Sequence, residues 1–284
     1  MTRAVDHAVI NVLEHMDAAA RRFRALGFTL TERGYHSLGS INHLMMFEHD
    51  YLELVGIEPG AAKVRREVAD SPMGLNGLVL QTDDARALHR ELNAAGLPVL
   101  EPVDFDRPVE LAGTRHLAAF TTVRIAEQFL PCGRVYFCEH KTPELVWRPE
   151  WTTHANGATG LAEVVVVSTA PEVQAARFAA VAGVSARAQT SGDHVLALGN
   201  SRLILTTHSA YRRRHGELGC SRGRRDGPAT ADCMGAVSIR TQSLDRLRQC
   251  LADAAAGEIE HVDRGDRISV AASSAFDCAL DFVE

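Results

Sequence analysis

The hydrophobic and polar positions along the chain fall into one pattern four times over. An apolar, strand-like run leads into a stretch rich in Ala, Arg and Leu with helical spacing, and that stretch ends at glycine. The four instances are His7–Val12, Asp17–Leu26 and Gly27; Leu75–Gln81, Asp83–Ala95 and Gly96; Leu161–Ser168, Pro171–Ala182 and Gly183; and Ala236–Thr241, Leu244–Ala256 and Gly257. The run Val164–Val167 is short and β-branched, which is strand chemistry. Asp17 and Asp83 or Asp84 suit helix N-caps, Pro171 suits a helix start, and the glycines suit the left-handed position that closes a helix. Shorter extended segments follow each glycine and end in one apolar strand: Tyr51–Gly56, Glu144–Trp147, Arg202–Thr207 and Cys278–Val283. Each unit thus reads strand–helix–strand–strand–strand over about 70 residues.

Such a unit has a half-covered sheet and cannot bury its apolar face alone. Two units side by side close a shared, cupped mixed sheet with helices outside. Four units predict an α+β chain of two such cups, modules one and two in residues 1–150 and modules three and four in 160–284. The boundary falls in the turn-rich WTTHANGAT stretch, Trp151–Thr159. A second irregular stretch, Ser209–Met234, carries Arg212–Arg214, Arg222, Arg224 and Arg225 with Gly216, Gly219, Gly223 and Gly227. It reads as a solvated, mobile connector; the alternative is a lid that grips a phosphate or carboxylate.

Composition narrows the function. With 284 residues, 46% hydrophobic and 23% charged, the chain is ordinary globular material with ample core. A net charge of −6 argues against nucleic-acid and anionic-membrane binding, which need a basic face. No apolar run reaches the roughly 18 residues of a membrane helix, and Met1–His7 has no signal-peptide core. Six cysteines without CxxC spacing argue against a zinc ribbon or a disulfide framework and lead us to expect a cytoplasmic protein. GxGxxG, GxxxxGK[ST], GxSxG and HExxH are all missing, which removes nucleotide-dependent and serine-hydrolase readings.

A cupped sheet gathers side chains of its first and last strands in one hollow. In YLELVG, alternation turns Leu52 and Leu54 to the helix layer and Glu53 into the cup. A bare carboxylate there is expensive and needs a cation, a proton or a strong donor. In PELVW, Glu144 is expected in the same place in module two, and His7 opens the first strand. Two acids and one imidazole converging on a hollow describe a divalent metal site, with Mg, Mn, Fe or Ni favoured by the oxygen ligands and Zn also open. Asn42 and His43 are candidate cup residues, Arg107, Arg115 and His116 candidates for an acidic substrate group, and Trp147 and Trp151 candidate pocket walls. Each has an ordinary structural alternative at a sheet edge or in the core. Cys138 reads as a buried, inert thiol.

These residues carry a resemblance. Repeated βαβββ modules, with His7 on the first strand and YLELVG closing the first module, resemble the vicinal oxygen chelate superfamily. That group includes glyoxalase I, extradiol dioxygenases, methylmalonyl-CoA epimerase and the fosfomycin and bleomycin resistance proteins. VYFCEHKTPELVWRPEW followed by HANGA is similar to its glyoxalase-like domain proteins. The resemblance implies four metal positions: His7, Glu53 and Glu144 match three. The fourth, normally His, falls at Asn76 or Gly77. Asn76 offers only a weak oxygen, and His140, four residues before Glu144, is either the replacement ligand, the general acid/base or substrate contact, or structural. Modules three and four lack the set, with Asp281 alone. The implied function is a metalloenzyme that chelates a small oxygen-rich substrate and moves a proton, of lyase or isomerase type, with His140 and Glu144 catalytic. The alternatives are a metal-free small-molecule-binding or antibiotic-resistance protein and an Fe(II)-dependent dioxygenase. The partner expected is a small molecule, and the chain is expected as a monomer or homodimer.

Overall fold

The computed structural model describes residues 3–111, 113–224, 231–255 and 257–284. Arg225 and Gly227 of the Arg-rich stretch, and Ala256 at the expected end of the fourth helix, lie outside the described residues. The first sheet holds β1 (Val5–Leu13), β2 (Gly34–Tyr35), β3 (Ile41–Met46), β4 (Tyr51–Gly56), β5 (Gly74–Gln81), β6 (Val103–Leu111), β7 (Thr114–Arg124) and β8 (Arg134–His140), in the order β2-β3-β4-β1-β5-β8-β7-β6. The second holds β9 (Ala158–Val167), β10 (Ala186–Ala188), β11 (His194–Leu198), β12 (Ser201–Thr206), β13 (Cys233–Thr241), β14 (His261–Asp263), β15 (Arg267–Val270) and β16 (Ala279–Val283), in the equivalent order β10-β11-β12-β9-β13-β16-β15-β14. Each is two modules joined by their first strands, β1 against β5 and β9 against β13, both antiparallel. The helices are α1 (Met16–Ala25), α2 (Arg66–Ala69), α3 (Ala85–Ala94), α4 (Pro171–Ala182), α5 (His208–His215) and α6 (Leu244–Asp253).

The local signals act as physics requires. Gly27, Gly96 and Gly183 close α1, α3 and α4 at φ of +84°, +73° and +65°, where a Cβ would be strained; Gly257, at +78°, lies beyond the end of α6, which stops at Asp253 and is capped by Ala254. Asp84 caps α3 by accepting from the Ala87 N–H at 2.8 Å, and Pro171 opens α4. Asp17 is no cap: it sits in the first turn of α1 and pairs with Arg33.

Alternation along β1 and β4 sorts the core into two faces. Ala8, Ile10, Val12, Leu52 and Leu54 pack on the convex side in one apolar core that runs through both halves and takes in Phe23 of α1, Leu88 of α3, Phe178 of α4 and Leu247 of α6. Val9, Tyr51, Val55, Val79 and Tyr136 face the concave side in a separate cluster. The four module helices α1, α3, α4 and α6 therefore lie outside the cups, as expected. Among the described residues no helix is long and apolar enough to cross a membrane.

Two expectations fail. The closing strand of module two is β8, not Glu144–Trp147; the latter stretch begins in a 3-10 turn, Pro143–Leu145, past the sheet. PELVW looked like YLELVG, but Pro143 cannot supply a ladder N–H, and RVYFCEH is the better strand. The Arg-rich stretch is not a solvated connector at its start: α5 buries His208, Tyr211 and His215. Its Arg214 pairs with Glu163 at 2.8 Å and lies 3.8 Å from Asp281, so the helix fills the second cup with its own cation.

Candidate functional site

The concave face of the first sheet holds a narrow hollow lined by His7, Asn42, Tyr51, Glu53, Arg107 and Tyr136. His7 and Glu53 meet there from adjacent parallel strands, with Nε2 and Oε2 3.6 Å apart. Tyr51 stacks on the His7 ring at 4.2 Å between centroids. Asn42 on β3 donates from Nδ2 to Glu53 Oε1 at 2.7 Å, and His36 stands 3.3 Å beyond that amide nitrogen.

Asp6 completes the group, and sequence reasoning missed it. Strict alternation puts Asp6 on the face opposite His7. The β1–β5 register, however, shifts between Val5 and His7, a bulge that gives β1 one extra residue. Asp6 Oδ1 consequently accepts from His7 Nδ1 at 2.6 Å and from His140 Nε2 at 3.1 Å. Burial alone would raise Asp6's pKa, but the His140 and His7 rings reverse that and hold the carboxyl far below its ordinary range. Glu53 behaves alike: burial pushes it up, while His7, His36, the Asn42 hydrogen bond and Arg65 outweigh it and keep the carboxylate ionised. His36 is driven down to about 4 by burial and by Arg107 and Arg65, against the pull of Glu53, so it is neutral at pH 7.

With Asp6 ionised, both imidazoles donate to it. The second nitrogen of each ring faces away from Asp6: Nε2 of His7 is turned to Glu53, and Nδ1 of His140 is buried and without a hydrogen-bond partner. His140 is walled by Phe120 at 5.1 Å and Trp147 at 4.6 Å between centroids. Three arginines complete the hollow's surroundings. Arg65 pairs with Glu67 at 3.2 Å, Arg134 donates to Asn76 at 3.1 Å, and Arg107, on β6, lines the hollow.

Of the residues named from sequence, the cup brings together His7, Glu53, Asn42 and Arg107, with His140 and Trp147 beside them. The others stand elsewhere. Glu144 is solvent-exposed on its 3-10 turn and does not line the hollow, so the anticipated pair of carboxylates does not form. His43 points to the convex side, where Nδ1 meets the Thr31 carbonyl at 2.7 Å. Arg115 is exposed at the tip of the β6–β7 hairpin. Asn76 is buried but serves to hold Arg134. The useful signal left unread was Arg134, a buried basic residue in the strand that PELVW displaced.

The donor set fits a divalent cation poorly. Register makes the module-two counterparts explicit: Val9 lies opposite Glu53 as Val79 lies opposite Tyr136, so a phenol stands where the second acid would. The β5 bulge residue Asn76 answers to Asp6, which leaves Gly77 answering to His7. A Cβ on Gly77 would sit 2.8 Å from the Val9 Cβ, so no imidazole fits there without moving β1. Among the described residues no three His, Cys, Asp or Glu side chains are grouped to hold a metal. His7 and Glu53 supply two donors, and the nearby guanidiniums oppose a further positive charge.

Paired βαβββ modules around such a cup define the vicinal oxygen chelate architecture. Residues 5–182 match the family model described as a glyoxalase-like domain, and the chain belongs to that family, within the vicinal oxygen chelate superfamily. Among solved structures it is similar to a hypothetical protein from Staphylococcus aureus (14% identity, TM-score 0.64, covering 99% of this chain and 98% of that one). A mutant 4-hydroxymandelate synthase from Streptomyces coelicolor is also similar (12%, 0.56, 100% and 93%). So is a xylose isomerase-like TIM barrel/4-hydroxyphenylpyruvate dioxygenase fusion protein (12%, 0.55, 99% and 49%). At these identities the likeness is one of fold. No curated protein matches the sequence.

Proposed function

We propose that this chain is an enzyme that moves a proton on a small oxygen-bearing substrate held in the first cup, with a lyase or isomerase outcome. The observation that carries the reading is the Asp6 bulge carboxylate. It orients His7 and His140 together and leaves a lone pair on each. His7 Nε2, which opens on the hollow beside Glu53, takes the proton. Asp6 stabilises the imidazolium as it forms, and Glu53, 3.6 Å away, favours the same charge. The aromatic walls exclude water, which strengthens both electrostatic effects. A sequestering protein would have little use for two ionised carboxylates buried in its pocket.

A divalent cation held by His7 and Glu53 is the second reading, favoured by the 3.6 Å separation of their donor atoms. It needs a third ligand that the described residues do not supply. Solvent-hydrogen exchange tests both readings. A panel of small hydroxy and keto compounds in D2O, followed by proton NMR, should show exchange with the wild type and a fall of about 10²–10⁴-fold in His7→Gln. Full exchange in His7→Gln refutes the relay. Loss on chelation with recovery on adding one divalent ion moves the assignment to the metal.

A further inference from the structure

Arg107 is the one guanidinium lining or adjoining the hollow that, among the described residues, makes neither a hydrogen bond nor an ion pair. It is 4% exposed, and its Nη2 is buried without a partner. The other two cations there are engaged, Arg65 with Glu67 and Arg134 with Asn76. A buried, unpaired charge is among the costliest features a fold can keep. Burial does pull Arg107's pKa down, against Tyr51 and Glu53, but a guanidinium stays charged at any ordinary pH.

A second orphan lies in the same corner. Asn42 Oδ1 is buried and accepts nothing, although its Nδ2 is fixed on Glu53, which settles the orientation of the amide. Gly34 makes room for both. A Cβ at position 34 would come within 2.2 Å of Asn42 Oδ1 and 3.3 Å of Arg107 Nη1, so the two groups stand side by side over Gly34, and both residues line the hollow. One is an unused strong donor and the other an unused acceptor.

We infer that this corner is a recognition site for a carboxylate that carries a hydroxyl on the neighbouring carbon: the carboxylate accepts from Arg107 and the hydroxyl donates to Asn42 Oδ1. A planar guanidinium suits the planar carboxylate, and a simple anion leaves the amide oxygen unsatisfied. The placement rests on the cup as the substrate site and names the substrate class for it. It puts the hydroxyl-bearing carbon in the hollow that His7 lines.

The test is a binding titration that reads no turnover, so its failure and that of the proton relay are distinguishable. Lactate, propionate, 1,2-propanediol and inorganic phosphate are titrated into the full chain by NMR, with the wild type, Arg107→Met and Arg107→Lys. Lactate should bind best, propionate several-fold more weakly, and the diol not at all. Arg107→Met should lose lactate binding by at least about tenfold. It should also melt no lower than the wild type, because it removes an unpaired charge; a merely structural arginine would instead destabilise when replaced. If Arg107→Met does not fold, Arg107→Lys carries the decision, since loss of the planar donor pair should weaken lactate selectively. Lactate binding unchanged in either variant, no binding to the wild type, or phosphate binding as tight as lactate would each overturn the assignment.

Discussion

His7 and His140, 133 positions apart in the chain, share a single carboxylate oxygen of Asp6, at 2.6 and 3.1 Å. Asp6→Asn keeps the shape and removes the charge. Proton exchange should fall about 10²–10⁴-fold, because neither imidazolium is then stabilised. Stability at pH 7 should fall by about 1–2 kcal/mol, the worth of charge-assisted hydrogen bonds. Since Asp6's folded pKa lies below its ordinary 3.8, its contribution is present above that value and is lost as pH falls further. The wild-type and Asp6→Asn melting curves should therefore converge only in strong acid.

Glu144 supplies the complementary test. Exposed and away from the hollow, it should tolerate Glu144→Ala with a stability change within about 0.5 kcal/mol and unchanged exchange kinetics. Glu53→Gln, one strand position from Leu52 and Leu54, should instead abolish exchange. Equal losses in the two variants would restore the two-carboxylate site.

The fold was legible because its signals are local and repeated. Alternation at Leu52-Glu53-Leu54, the helix-ending glycines and the fourfold module pattern each follow from backbone geometry. Half of the site was legible for the same reason: Glu53 and His7 sit where alternation sends them. Asp6 was not, because a bulge reverses alternation at one residue and leaves no mark in composition. Glu144 was misplaced because PELVW matches YLELVG in hydrophobicity, while the proline that stops a ladder bears on hydrogen bonding alone. Arg107 was noticed as a charge in a middle strand, but whether it had a partner depended on β2 and β3, which are distant in sequence.

Asp50 joins the two halves and should make their union pH-sensitive. It is 4% exposed and accepts from the Leu161 N–H at 2.9 Å. Burial raises its pKa to about 6 from 3.8, against that hydrogen bond and Arg240. A folded pKa above the unfolded one means stability is fullest below about 3.8 and is lost as pH rises through about 6. The loss is on the order of 2–3 kcal/mol at about 1.4 kcal/mol per pKa unit. Asp50→Asn keeps the acceptor, so the difference between the two melting temperatures should change across that window and be flat above it. A constant difference from pH 4 to 7 would refute the raised pKa.

The second cup should resist emptying. Arg214 enters it from α5 and lies 2.8 Å from Glu163 and 3.8 Å from Asp281, while Asp281 Oδ2 has no hydrogen bond and is reached also by Arg267 at 3.6 Å. Removing one partner of such a cluster exposes the desolvation cost of those that remain. Arg214→Met should thus destabilise the chain by about 1–3 kcal/mol, less than the full cost of an isolated buried charge because Arg202 and Arg267 persist. Adding Glu163→Gln should restore part of that loss, since the double variant no longer carries the buried carboxylate that has lost one of its two arginines. A double-mutant cycle measured by denaturant unfolding gives the coupling directly. A coupling near zero would mean that α5 packs on this cup through Tyr211 and His215 alone and that its cation contributes nothing there.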